Sequence, residues 1–181
     1  MAMEGEGDMR HNLIGAALAL AAGGCAGTMS TEPRPGASAE LRDAGGSRVA
    51  QAALSEEAGG VRIRLEAFGL PPGVHGIHVH AVGRCDPPAF ASAGPHLNPA
   101  DRQHGRDNPQ GMHQGDLPNL TIGADGRGRY DATIAGAFLS NGEHGLRGGA
   151  GTALVIHAQP DDYRTDPSGN SGARIACGVI G

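Results

Sequence analysis

The sequence contains no lysine and no tryptophan, and its aromatic residues number five, two Tyr and three Phe. All 14 basic side chains are arginine, set against 19 acidic ones, for a formal net charge of −5. A mildly acidic chain without a basic block excludes nucleic acid as the expected partner. Beyond the N-terminal segment there is no sustained 3.6-residue apolar period, which excludes a helical bundle. The N-terminal apolar run, Leu13 to Ala22, falls short of the ~20 residues a membrane-spanning helix needs.

What is abundant is glycine, 32 residues in a chain of 181, with 12 prolines beside it. The length suits one domain, and the composition suits short strands joined by many tight turns. Arg10, the apolar run and the small residues leading to Cys25 have the layout of a secretory signal. Cysteine directly after Gly23-Gly24 resembles a bacterial lipoprotein processing site, although Ala22 departs from the usual Leu and the acidic stretch before Met9 suggests Met9 as an alternative start. Residues 1–25 are therefore read as a signal peptide of lipoprotein type, 26–46 as a flexible polar linker, and 47–181 as the folded domain. An exported, periplasmic protein with membrane attachment only through a lipid on Cys25 follows. Three cysteines are an odd count for such a protein. Lipidating Cys25 leaves Cys85 and Cys177 to pair in an oxidising compartment; two buried free thiols are the alternative.

Alternation marks the strands. Val61, Ile63 and Leu65 interleave with charged residues in 60–70, and strands are also expected at 47–57, 74–82, on either side of the turn "ADGRG" within 116–134, at 151–159 and at 173–181. Short alternating strands without helices predict an antiparallel β-sandwich or barrel. On the strand "VHGIHVHAV", Ile77 and Val79 face one way and His78 and His80 the other; Leu154 and Ile156 likewise leave His157 on the outer face. The long polar stretch between Gly83 and Gly115 supplies His96, His104 and His113, with Asp116 just after it. Three histidines and a carboxylate form a plausible zinc set, and an imidazole-rich group suits copper. His11, His75 and His144 are read as structural or solvated.

Five segments in order, "GIHVH", "GPHLNP", "HGRDNPQGMHQGDLPNL", "VIHAQPDD" and "GARIACGVIG", resemble the copper/zinc superoxide dismutase family over residues 47–181. The intervals from His96 to His104, His113 and Asp116, eight, nine and three, match the family pattern. The resemblance implies a Greek-key barrel of about eight antiparallel strands with long metal-binding loops. It implies copper on His78, His80, His96 and His157, and zinc on His96, His104, His113 and Asp116, with His96 bridging. Asp161 would join His78 to His104, with Asp162 as the alternative; Arg174 would orient the anionic substrate; Cys85 and Cys177 would form the family disulfide. The implied reaction is disproportionation of superoxide to dioxygen and hydrogen peroxide by alternately reduced and reoxidised copper. Many relatives carry lysines in the loop before the arginine, whereas "YRTDPSGNSGA" has only Arg164, offset by Asp166. Two rival readings are a copper-handling protein of the same fold and a zinc hydrolase. Oligomeric state, a homodimer included, is left open by the sequence.

Overall fold

The computed structural model describes residues 36–142 and 145–181. The expected signal peptide, Cys25, His11 and residues 26–35 of the expected linker lie outside the described residues, as does His144. Nine strands and one 3-10 turn make up the described chain: β1 (Ala37–Asp43), β2 (Arg48–Glu57), β3 (Gly60–Ala67), β4 (Gly73–His75), β5 (Ile77–His80), the turn Ala91–Ala93, β6 (Leu120–Ile122), β7 (Gly128–Ala135), β8 (Ala153–His157) and β9 (Arg174–Val179).

Seven of the strands form one antiparallel sheet in the order β5-β8-β9-β1-β2-β3-β7, and β4 pairs with β6 in a separate ribbon. That ribbon continues into both edges of the large sheet. β4 passes through Gly76 alone into β5, and β6 turns at 123–127 into β7. The sheet thus curls toward a barrel, and counting β4 and β5 as one interrupted strand gives the eight expected. From β3 the chain crosses to the far edge, and from β7 it crosses back to β8, connections of the Greek-key kind.

The core follows from alternation. In β3, Val61, Ile63 and Leu65 are buried while Arg64 and Glu66 face water. They meet Leu54 of β2, Ile134 of β7 and Leu154 and Ile156 of β8 in one apolar cluster. At the β2–β3 turn, the backbone of Gly60 lies against the Ile134 carbonyl, where any Cβ would collide, so glycine is required there.

One expected boundary is corrected. The segment from Ala37 to Asp43, read as linker, is strand β1 and sits inside the sheet. It pairs with β2 from Ala37↔Leu54 onward and with β9 at Arg42↔Cys177. The cause is its own alternation, with Ala37, Ala39 and Leu41 buried and the residues between them exposed. Small alanines give a weak apolar signal, but inside a sheet they pack closely.

Candidate metal centre

β5 and β8 lie side by side, pairing His78 with Val155 and His80 with Ala153. Ile77 and Val79 point into the core, as expected, and the two histidines point away from it. The outer face is not open, however. His78 and His80 are fully buried, because loops cover it. Along the free edge of β5, Val79 N–H donates to Gly115 O at 2.9 Å, Leu97 N–H to Val79 O at 2.8 Å, and Ala81 N–H to Pro95 O at 2.9 Å. This short ladder sets Asp116 opposite His78 and His96 opposite His80. The polar loop is thereby tied to the strand that carries the first two histidines.

A bulge completes the arrangement. The β8–β9 register runs Leu154↔Gly178, Val155↔Cys177, Ile156↔Ala176 and then skips to His157↔Arg174, leaving Ile175 as the extra residue. In an unbroken strand Arg174 would share the inward face of Ala176. The extra residue turns it to the face of His157. There its Nη1 donates to Phe90 O and its Nη2 to Gly94 O, both at 2.7 Å. Partial burial lowers the Arg174 pKa.

Among the described residues three groups of donor atoms result, each with its atoms within 4.8 Å of one another: His78, His80, His96 and His157 in the first, His96, His104, His113 and Asp116 in the second, and a smaller set, His78, His104 and Asp161, that links them. Every residue expected to hold copper or zinc is in its expected group, and His96 belongs to the first and the second. Each imidazole in the first group is anchored by one ring nitrogen. His78 Nε2 lies 2.7 Å from Asp161 Oδ2, and His80 Nδ1 donates to Gly94 O at 2.8 Å. His157 Nδ1 donates to Gly172 O at 3.2 Å, and His96 Nδ1 lies 2.9 Å from Asp116 Oδ1. The opposite nitrogens, His78 Nδ1, His80 Nε2, His96 Nε2 and His157 Nε2, are buried without any hydrogen-bond partner. An unpaired buried polar atom is costly, and four of them this close together could hold a metal ion as their common partner. In the second group, Asp116 Oδ1 lies 3.0 Å from His104 Nδ1 and 3.2 Å from His113 Nδ1. The His104 contact is close but out of line for a hydrogen bond, so that nitrogen too is unpartnered. The donor set, three nitrogens and one carboxylate oxygen, suits tetrahedral zinc.

Asp161 joins the groups. Its Oδ1 lies 3.0 Å from His104 Nε2 while Oδ2 holds His78. Asp162, the alternative, caps a turn instead, accepting from Arg164 N–H at 2.9 Å and Thr165 N–H at 2.8 Å. The electrostatics follow from these contacts. Burial, and secondarily repulsion from neighbouring histidines, pulls His80 down to about 2 and His157 to about 3. Burial also lowers His96 to about 4, against the pull of Asp116. Burial acts on His104 as well, but Asp116 and Asp161 outweigh it and lift His104 to about 9. Burial would raise both carboxyls, yet their histidine partners hold Asp116 and Asp161 well below the usual carboxylate range.

Cys85 and Cys177 are bonded, with Cα atoms 5.6 Å apart, and pack with Phe90, Ala93, Ala153 and Val155 in a small cluster outside the main core. The loop carrying the two carbonyls that hold Arg174 is thereby pinned to β9. His75 is a buried structural residue, its ring nitrogens 2.8 Å from His157 O and 2.9 Å from Pro71 O. Sequence reasoning missed Asn119. Its amide pairs with the Asp161 backbone, donating to Asp161 O and accepting from Asp161 N–H, both at 2.9 Å. Its place three residues after Asp116 was the available signal. The carbonyls of Phe90 and Gly94 have no signature in side-chain identity.

The family profile described as copper/zinc superoxide dismutase matches residues 44–180. A copper/zinc superoxide dismutase of Aquifex aeolicus is 47% identical over 146 residues, covering 80% of this chain and 85% of the relative. One from Caulobacter vibrioides is 38% identical over 147 residues, covering 80% and 84%. Among solved structures, a superoxide dismutase-like protein from Bacillus subtilis aligns with a TM-score of 0.75 at 39% identity, covering 78% of this chain and 96% of that one.

Proposed function

The chain belongs to the copper/zinc superoxide dismutase family, and from that premise we infer that it disproportionates superoxide at the paired histidine groups. The observation that carries this reading is the set of four buried, unpartnered imidazole nitrogens beside a fixed guanidinium. In this reading His78, His80, His96 and His157 hold copper, and His96, His104, His113 and Asp116 hold zinc. Bound there, copper supplies the reversible one-electron chemistry that converts two superoxide ions and two protons to dioxygen and hydrogen peroxide, while zinc supplies fixed charge.

The chain's own residues do the rest. Arg174 lines the cleft above the first group and spends two of its five N–H donors on Phe90 O and Gly94 O. The remaining donors bind and orient an anion. His96, with Nε2 toward the first group and Nδ1 toward the second, is the residue suited to hold a proton at Nε2 and pass it to the reduced product. Asp161 and Asn119 keep His78 and His104 oriented from behind.

Cleavage before Cys25, lipidation of that cysteine and residence in the periplasm are the location we assign. Arg10, the Leu13–Ala22 run and Cys25 support it, as does a disulfide that needs oxidising surroundings. Palmitate labelling of wild type but not of Cys25→Ser checks the anchor. The activity is tested by metal analysis of native protein and by superoxide consumption of the copper- and zinc-loaded form. Consumption abolished by chelation is expected. A fully loaded protein that leaves superoxide untouched would sink the reading in favour of a copper-handling role, and ester or amide cleavage without copper would favour a zinc hydrolase.

A further inference from the structure

The chain has two tyrosines, and both hydroxyls end on the same dipeptide. Tyr130 of β7 donates to Pro118 O at 2.7 Å, and Asn119 N–H donates to the Tyr163 hydroxyl oxygen at 2.8 Å. Asn119 in turn holds the Asp161 backbone through its side-chain amide. Tyr163 reaches Asp161 a second way. Its own N–H donates to Asp161 Oδ1 at 2.6 Å, the oxygen that also faces His104 Nε2. Asp161, Asn119 and Tyr163 therefore close a ring of contacts behind the carboxylate shared by His78 and His104.

Two loops meet at Tyr163. Its carbonyl accepts from Asp107 N–H at 3.1 Å, and the Arg106 guanidinium lies over its ring, 4.0 Å from the centroid, a cation–π contact. The ion pair of Arg106 with Asp107 Oδ1 is long, at 3.9 Å. Arg106 and Asp107 thus tie Tyr163 to the stretch that begins with His104, whose own N–H donates to Asp166 Oδ1 at 2.6 Å. Tyr163 adopts φ of 62°, a left-handed conformation that is costly for a bulky side chain. Such a residue persists only where its surroundings over-determine it, and here the ring, the hydroxyl, the N–H and the carbonyl each have a partner.

We propose that Tyr163 is a positioning residue for the site: with Arg106 packed on its ring, it fixes Asp161 in the orientation that holds His78 and His104 together. This rests on the reading that the two histidine groups take copper and zinc. The physical basis is preorganisation. A carboxylate already held in place spares metal binding the cost of ordering it, and carboxylates behind ligating histidines set metal affinity. One carboxylate serves both histidines, so a change at Tyr163 registers at both metals, although Tyr163 is a donor in neither group.

The test measures copper and zinc affinity of the full chain by competition with chelators, and records the paramagnetic resonance spectrum of Cu(II) and the absorption of Co(II) put in place of zinc. Tyr163→Gly suits the left-handed backbone and removes ring and hydroxyl. It should lower both affinities by about tenfold and shift both spectra. Tyr163→Phe keeps the ring and loses one hydrogen bond, so its fall should be about fivefold or less. Arg106→Gln should lose about threefold, and Arg106→Lys, which keeps a cation at the ring, should retain most of the affinity. Wild-type affinities and spectra in Tyr163→Gly overturn the proposal. So does a loss confined to one metal, or a fall in urea stability of the metal-free protein with both spectra unchanged, which makes the tyrosine structural only. An unchanged Arg106→Gln removes Arg106 from the assignment. If Tyr163→Gly fails to fold, Tyr163→Phe decides by the same criteria. None of these measurements reads turnover, so a wild type that binds both metals and leaves superoxide untouched overturns the dismutase reading alone, while one that binds neither metal overturns both.

Discussion

Asp161 is not among the expected copper or zinc ligands, yet its one carboxylate fixes an imidazole of each group. Carboxylates that orient ligating histidines typically contribute 10- to 100-fold in affinity or activity. Asp161→Asn keeps the shape but can accept on one side only, so both copper and zinc affinity should fall by about that factor, read by competition with chelators. Unchanged affinities would remove Asp161 from its bridging role. Gly169 is a second residue with leverage here. Its φ is +64°, and a Cβ would run into both Asp161 and His104. Gly169→Ala should therefore weaken zinc more than copper, because His104 is one of the four donors of the second group and none of the first. Arg174→Ala should lower kcat/KM strongly while metal content stays at wild-type level, since the arginine bonds only to backbone carbonyls. Metal loss in that variant would assign Arg174 a structural part instead.

At the scale of elements, β1 and the bulge in β9 carry the argument. Leu41 is fully buried in the core, and cutting a buried leucine to alanine costs about 2–5 kcal/mol. Leu41→Ala should show a loss of that size in urea unfolding; a tether residue would show none. Strands with charged residues between branched apolar ones, such as β3, were legible because period two separates the faces cleanly. β1 was not, because Ala37 and Ala39 contribute little hydrophobicity in a stretch rich in alanine and glycine. The histidine ligand candidates were legible by type and interval. Their burial was not, since it depends on loops lying back over the strand edge. Nor could the sequence place Arg174 beside His157 on its own terms. Alternation from Ala176 puts it on the wrong face, and the extra Ile175 that reverses this leaves no mark in composition. The Phe90 and Gly94 carbonyls escaped for a similar reason, since they act through backbone geometry.

For the whole molecule, the site makes folding sensitive to pH when no metal is bound. Burial, as the largest cause, holds His80, His96 and His157 at about 2, 4 and 3, whereas an unfolded histidine titrates near ~6.5. Below that value the unfolded chain binds protons that the fold refuses, so stability falls as pH drops. Asp116 and Asp161, depressed in the fold, contribute above the ordinary value of ~3.9 and lose that contribution as pH falls further. His104 runs the other way. Raised to about 9, its contribution is complete below ~6.5 and is lost as pH rises through 9. Urea unfolding of the metal-free, disulfide-intact protein should therefore give greatest stability near neutrality and a steeper decline on the acid side. A maximum at acid pH would refute this balance. The ladder between β5 and residues 95–97 and 115 has one further effect. Those residues flank the donors of the second group, so the loop that gathers zinc is also the guard on a strand edge. Stripped of zinc, the loop loses part of what holds it down, and a bared edge is a template for adding strands from other copies. Metal-free protein should accordingly seed thioflavin-positive fibres sooner than zinc-loaded protein at the same concentration, making zinc here a protection against self-association as well as a part of the catalyst.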